Sequence, residues 1–292
     1  MSDIPLPEPV IPEQALDIQH DTDPADEHGD ARRIPHMGHA LLFFAQTIAL
    51  VLIAQVCVLF AVHAFTPAQA MQHAFALFMG MMVAYALSFA IAIPVMPMLW
   101  KRSFLDGIHW TWRQAQMHWW RLILLGVALS ALAQVLERLF KSQATSDVRF
   151  LLNTPLHGWL TVLFGIFMVP AVEEVAFRGF LLPALATAYD WLSLERTPAA
   201  LDIWRTTTKN SRGAFVFGAI VSSILFAALH GSQLNWAGGP IAILFLMSLA
   251  FSAVRIYTRS VAASTLVHMA YDALIFIEVI WATGGFRHLD RL

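Results

Sequence analysis

Charge is scarce in this sequence, and so is cysteine. Only 13% of the 292 residues are charged, while 58% are hydrophobic; ordinary soluble domains hold roughly 25% and 45–50%. A soluble chain this apolar would expose large greasy patches, which mark aggregation or a membrane. No excess of positive charge exists either: the formal net charge of -2 points to no nucleic-acid partner. The single cysteine, Cys57, excludes an internal disulfide. Set within an apolar run, it reads as a small buried hydrophobe. There is no G-x-S-x-G elbow and no H-E-x-x-H pair, and Cys57 lies far along the chain from any histidine pair. The commoner serine, zinc and cysteine hydrolase signatures are therefore unsupported.

What the chain does contain begins with a contrast. Residues 1–37 are rich in Pro, Asp and Glu (Pro5, Pro7, Pro9 and Pro12, then Asp21 to Asp30) and poor in large apolar groups. Such a segment cannot bury enough surface to offset its ordering entropy, so a disordered tail is expected. No basic region leads into a short apolar core near Met1, so a secretory leader is not expected.

From Ala40 onward, apolar runs long enough to cross a membrane recur. About 20 residues suffice for a hydrocarbon core of about 30 Å. The runs fall near 40–64, 74–99, 120–139, 158–188, 213–230, 239–257 and 261–282, with no obvious internal repeat. The expected fold is all-α, a polytopic transmembrane bundle of about seven spans. Pro94 and Pro97 are expected to kink or stop the second span. Residues 38–154 form a first membrane block, with an interfacial segment in which Trp110, Trp112, Trp119 and Trp120 interleave with Arg113 and Arg121. Residues 155–292 form a second block.

Basic loop residues set the orientation. Arg32 and Arg33 precede the first span, Lys101, Arg102 and Arg113 the third, and Arg196, Arg205, Lys209 and Arg212 the fifth. The loops near 65–73 and 231–238 carry none. The positive-inside rule then favours a cytoplasmic N-terminus, with Lys141 and Arg149 against the trend.

Three spans are not bland. The fourth carries Glu173, Glu174 and Arg178 in its middle, the fifth ends at His230, and the seventh holds His268, Asp272 and Glu278. Left unpaired and facing lipid, Glu173, Glu174, Arg178 and Asp272 would together cost on the order of 10–14 kcal/mol. Whole-protein stability is typically about 5–15 kcal/mol, so these groups must face inward and find partners. Glu174 and Arg178 are four residues apart and share a helix face, as do His268 and Asp272. Glu173 lies about 100° around the helix, free to point elsewhere. Counted at 1.5 Å per residue from the polar loop 189–212 and from Arg259, all lie at interior depths. A shared cavity is expected. Two histidines and carboxylates can polarise water, with a glutamate as general base. The same set could instead ligate a divalent metal such as zinc, with Glu173, His230, His268 and Asp272 as candidates. Peptide-bond hydrolysis fits either mechanism.

The motifs Glu173-Glu174-Val175-Ala176-Phe177-Arg178, Phe226-Ala227-Ala228-Leu229-His230 and His268-Met269-Ala270-Tyr271-Asp272 occur in that order on successive polar-bearing helices. With the phrase FRGFLLPAL that follows the glutamates, they resemble the CPBP family of intramembrane proteases. That family includes the type II CAAX prenyl endopeptidases and bacterial relatives linked to bacteriocin processing and immunity. Its pattern is E-E-x-x-x-R, F-x-x-x-H, then H-x-x-x-N or a variant, and the resemblance covers roughly 155–282. It implies an endopeptidase acting on a peptide or membrane-protein substrate in a bacterial-type inner membrane. Glu173 would activate water with His230, His268 and position 272 would hold or polarise the scissile carbonyl, and Glu174 and Arg178 would brace the site. Family members are described both as metalloproteases and as metal-free glutamate enzymes. Position 272 departs from the pattern: Asp replaces the commoner Asn, turning an amide donor into a carboxylate. The stretch 189–212 is also longer than expected, a lid or merely a loop.

Two other functions would use the same groups. A non-catalytic scaffold or immunity protein of the family would show decayed motifs, which here are intact apart from Asp272. A proton-coupled transporter would show paired broken helices in two related halves, and no such repeat is present. Glu278 reads as interfacial or snorkelling. His63, His73, His109, His118 and His157 read as interfacial, and Met79, Met81 and Met82 as helix packing.

Overall fold

The computed structural model describes residues 33–139, 151–152 and 154–289. The tail expected over 1–37 therefore lies, apart from its last five residues, outside the described residues. Those residues are helical throughout their regular structure, without a strand. Among the described residues, seven helices are long and apolar enough to cross a membrane. The chain is an all-α, polytopic integral membrane protein.

The first span, α1 (Met37–Ala61), starts on a histidine cap: the backbone N–H of Gly38 donates to His36, and that of His36 donates to His39. A short α2 (Pro67–Gln72), capped by Thr66, leads into α3 (Ala74–Trp100). Pro94 and Pro97 do not stop α3. The helix runs through both and ends only where Lys101 turns left-handed at φ 57°. Proline interrupts a buried membrane helix less than a soluble one, because neighbouring helices and local adjustment re-satisfy the freed carbonyls. α1 and α3 form a hairpin held by polar contacts: Gln46 donates to the Ser88 carbonyl at 2.8 Å, and Gln55 to that of Leu77 at 3.0 Å. Met82 packs inside, but Cys57 does not; it faces outward from α1. In a bilayer an outward apolar face meets lipid, so burial of this thiol needs no protein partner.

The tryptophan-rich segment folds as two short helices, α4 (Phe104–Gly107) and α5 (Trp112–Met117), with Trp112, Trp119 and Trp120 exposed. It leads into the third span, α6 (Trp119–Leu139). The fourth span is one 39-residue helical run, Pro155–Ser193, longer than the 158–188 expected. It comprises α7 (Pro155–Leu163), a π segment (Phe164–Met168), α8 (Val169–Glu174), a second π segment (Val175–Leu181) and α9 (Leu182–Ser193). Nothing in the residue pattern had indicated the two wide turns.

The long stretch after α9 is a folded surface feature. It contains α10 (Pro198–Thr206), and Arg33 ties it to the start of α1. The Arg33 guanidinium lies 3.7 Å from the Trp204 ring and donates to the Trp204 and Lys209 carbonyls at 3.3 and 3.2 Å. The last three spans are α11 (Arg212–Leu229), α12 (Gly238–Thr258) and α13 (Val261–Ala282).

Two glycines let backbones meet where the site is assembled. A Cβ on Gly126 of α6 would lie 2.3 Å from the Val267 carbonyl oxygen of α13. One on Gly218 of α11 would lie 2.8 Å from the Leu182 carbonyl oxygen of α9. Around the second π segment, Phe43 stacks on Phe180 at 4.4 Å, with Trp100, Met96 and Ile108 closing a core cluster.

Candidate active site

The six expected site residues converge. The fourth span supplies Glu173 and Glu174 at the end of α8 and Arg178 within the π segment that follows. His230 caps the end of α11, and His268 and Asp272 stand one turn apart on α13.

One half of the cluster is sealed. Glu174 and Arg178 have no exposed surface. Arg178 donates to Glu174 Oε1 at 2.9 Å, to the Ser248 carbonyl and hydroxyl at 2.6 and 2.8 Å, and to the Ser252 hydroxyl at 3.4 Å. The rings of Phe226 and Phe251 flank the guanidinium at 5.2 and 5.5 Å. A buried charge is costly unless paired, and here the pairing rests on Glu174 Oε1, since Glu174 Oε2 makes no hydrogen bond among the described residues.

The other half keeps an opening. The side chains of Glu173, Asp272 and His230 retain 17, 19 and 23% of their exposure, while that of His268 retains 6%. His230 Nε2 lies 3.5 Å from Glu173 Oε1, and His268 Nε2 lies 3.8 Å from Glu173 Oε2. Asp272 Oδ2 stands 3.6 Å from the same His268 nitrogen. Both imidazoles therefore turn Nε2 toward Glu173.

Their other nitrogens are committed. His230 Nδ1 meets the Phe226 carbonyl at 2.9 Å, and a carbonyl can only accept, so Nδ1 carries hydrogen. His268 Nδ1 meets Glu174 Oε1 at 3.0 Å, beside Arg178, and donates for the same reason. Phe251 stacks on the His268 ring at 4.5 Å and Phe226 packs against that of His230 at 4.7 Å, which fixes both planes. In a neutral ring Nε2 is then a bare acceptor aimed at the gap beside Glu173, the arrangement a general base needs.

Sequence reasoning missed the serines. Ser248 and Ser252 are four residues apart on α12, a hydroxyl pair on one face of an apolar span, and that spacing was the available signal. It also missed Phe251, which stacks on the His268 ring. Glu278 is exposed near the end of α13, away from the cluster. His157 stacks on Phe75 at 3.7 Å, also far from the site.

For the metal expectation, no group of three or more His, Cys, Asp or Glu side chains among the described residues is arranged to hold an ion. The four candidates meet pairwise at 3.5 to 3.8 Å.

Residues 155–274 match the family model of the type II CAAX prenyl endopeptidase Rce1-like proteins. The match covers less than half of the chain, so it is this segment that is similar to the family. No curated protein and no solved structure matches the chain. The Rce1-like segment starts at the first residue of α7 and ends two residues beyond Asp272, so it encloses all six clustered residues. It also takes in Ser248 and Ser252, which hold Arg178 in place. Helices α1 to α6 lie outside the match, although Gly126 of α6 sets the approach of α13.

A cavity of about 610 Å3 adjoins the same helix, lined by Phe89, Ile93, Phe104, Ile108, Ala171 and Val175 among others. Ala171 and Val175 lie two residues either side of Glu173, hence about 160° around the helix from it. The cavity is behind the Rce1-like site and not part of it.

Proposed function

We propose that the protein is an intramembrane endopeptidase in which Glu173 and His230 activate water against a peptide bond. The observation that carries this reading is the pair of Nε2 atoms, from helices α11 and α13, that close on one partly open glutamate at 3.5 and 3.8 Å. A water in that gap would give a proton to Glu173 while its oxygen attacks the carbonyl carbon. The proton would then pass to the leaving amine as the tetrahedral intermediate collapses. His268 holds the developing oxyanion when it carries a proton on both nitrogens. Asp272 can donate to that oxygen only when protonated, which makes it a weaker donor than the amide usual at this position. Glu174 and Arg178 position His268 and do not touch the substrate.

The substrate is a peptide or membrane protein with its cleaved bond at bilayer depth. The basic loops support a cytoplasmic N-terminus, and the proposed setting is a bacterial-type inner membrane. A metal-dependent variant of the reaction would use Glu173, His230, His268 and Asp272 as ligands.

The test is cleavage of a peptide library by purified protein in proteoliposomes, beside Glu173→Ala and with metal analysis of both. Cleavage by the wild type that is lost in the variant and survives chelation supports this mechanism. Normal cleavage by Glu173→Ala would end it.

A further inference from the structure

A guanidinium sealed inside a protein needs an anion, and Arg255 has none among the described residues. It retains 7% of its exposure, its Nε makes no hydrogen bond, and no acidic side chain bears on it. Arg178, two turns away, has taken Glu174 and both serines. A buried cation left alone is among the costliest features a fold can carry.

Its position indicates the missing group. Arg255 follows Ser248, Phe251 and Ser252 by seven, four and three residues, so it shares their inward face of α12. It stands about 10 Å from Ser248 along the axis, one turn before the helix ends at Thr258. That end of the bundle carries Lys101, Arg102, Arg113, Arg205 and Lys209. On α11, which packs against α12, Ser223 lies one turn from Phe226 toward the same end. Ser223 is fully buried and its hydroxyl is also without a partner. Of the two unpaired donors, Arg255 stands one turn from the basic end of its helix, while Ser223 lies deeper, in the middle of α11.

We infer that Arg255, at the basic end of α12, binds the phosphate of an anionic membrane lipid. Arginine's planar fork suits a phosphate, and basic pockets between helices on the positive side of a membrane protein are where such headgroups lodge. A free ion offers the same oxygen atoms but no acyl chain to hold it at the lipid boundary. This site does not depend on the protease reading.

The experiment is thermal unfolding of the delipidated full chain in detergent, with added phosphatidylglycerol, phosphatidylcholine or inorganic phosphate. Phosphatidylglycerol should raise the midpoint by about 3 °C or more, and the other two should not. Arg255→Gln should remove that increment and Arg255→Lys should keep part of it. An equal rise with phosphatidylcholine, a rise with inorganic phosphate, or an undiminished rise in Arg255→Gln overturns the inference. If Arg255→Gln does not fold, native mass spectrometry of the wild type decides. One phosphatidylglycerol retained through delipidation supports the site, and none refutes it.

Discussion

His268 Nδ1 and the Arg178 guanidinium share one oxygen of Glu174, at 3.0 and 2.9 Å. Through that atom the arginine, held by two serines of α12, fixes the orientation of a histidine on α13. Structure and chemistry are coupled there, and removing the carboxylate charge should damage both.

Glu174→Gln should therefore lower stability by about 3–5 kcal/mol, the range for breaking a buried pair. It leaves Arg178 without a counter-charge and gives His268 a neutral amide oxygen in place of a carboxylate. Thermal unfolding in detergent reads this directly, and an unchanged midpoint would show that the pair contributes nothing.

Glu173→Ala should behave differently. Glu173 is partly open and meets its histidines at 3.5 and 3.8 Å, so little packing depends on it. Cleavage should fall by at least about 100-fold while the melting midpoint holds. A variant that melts early would assign Glu173 a bracing role instead.

Asp272→Asn introduces the residue commoner in the family that this segment resembles. Asp272 meets His268 at 3.6 Å, and an amide oxygen or nitrogen fits that contact. Activity should stay within about tenfold of wild type or rise. Complete loss, accompanied by loss of a bound metal, would instead identify Asp272 as a ligand.

Gly126→Ala should push α6 from α13, because its Cβ would lie 2.3 Å from the Val267 carbonyl oxygen, next to His268. Overpacking of this kind costs typically about 1–3 kcal/mol. Cleavage should drop together with the midpoint. Full activity in this variant would show that the two helices part without moving the imidazole.

The seven spans and all six clustered residues were legible in the sequence, for one reason. Ionisable groups are so costly in hydrocarbon that each must be paired or purposeful, and hydropathy makes them conspicuous. Ser248, Ser252 and Arg255 were not singled out. A serine barely perturbs an apolar span, and an arginine one turn from a helix end looks like an ordinary interfacial cation. Cys57 was misread because burial within a membrane does not require burial within the protein. The proline pair in α3 was judged by rules for water, where freed carbonyls are hydrated and helices end more readily. The tie between Arg33 and the segment 204–210 joins residues more than 170 positions apart, which no local pattern reveals.

The two π segments bracket the glutamates, and each such turn accommodates one residue more than an α-helix of equal rise. Deleting one residue from 175–177 would let the chain settle into regular helix, with α9 still in register below. Membrane spans rarely survive deletions, so this one should insert and fold better than most. Arg178 would then follow Glu174 by three positions, and its guanidinium would swing away from Ser248. A smoother helix would result, with the catalytic geometry erased.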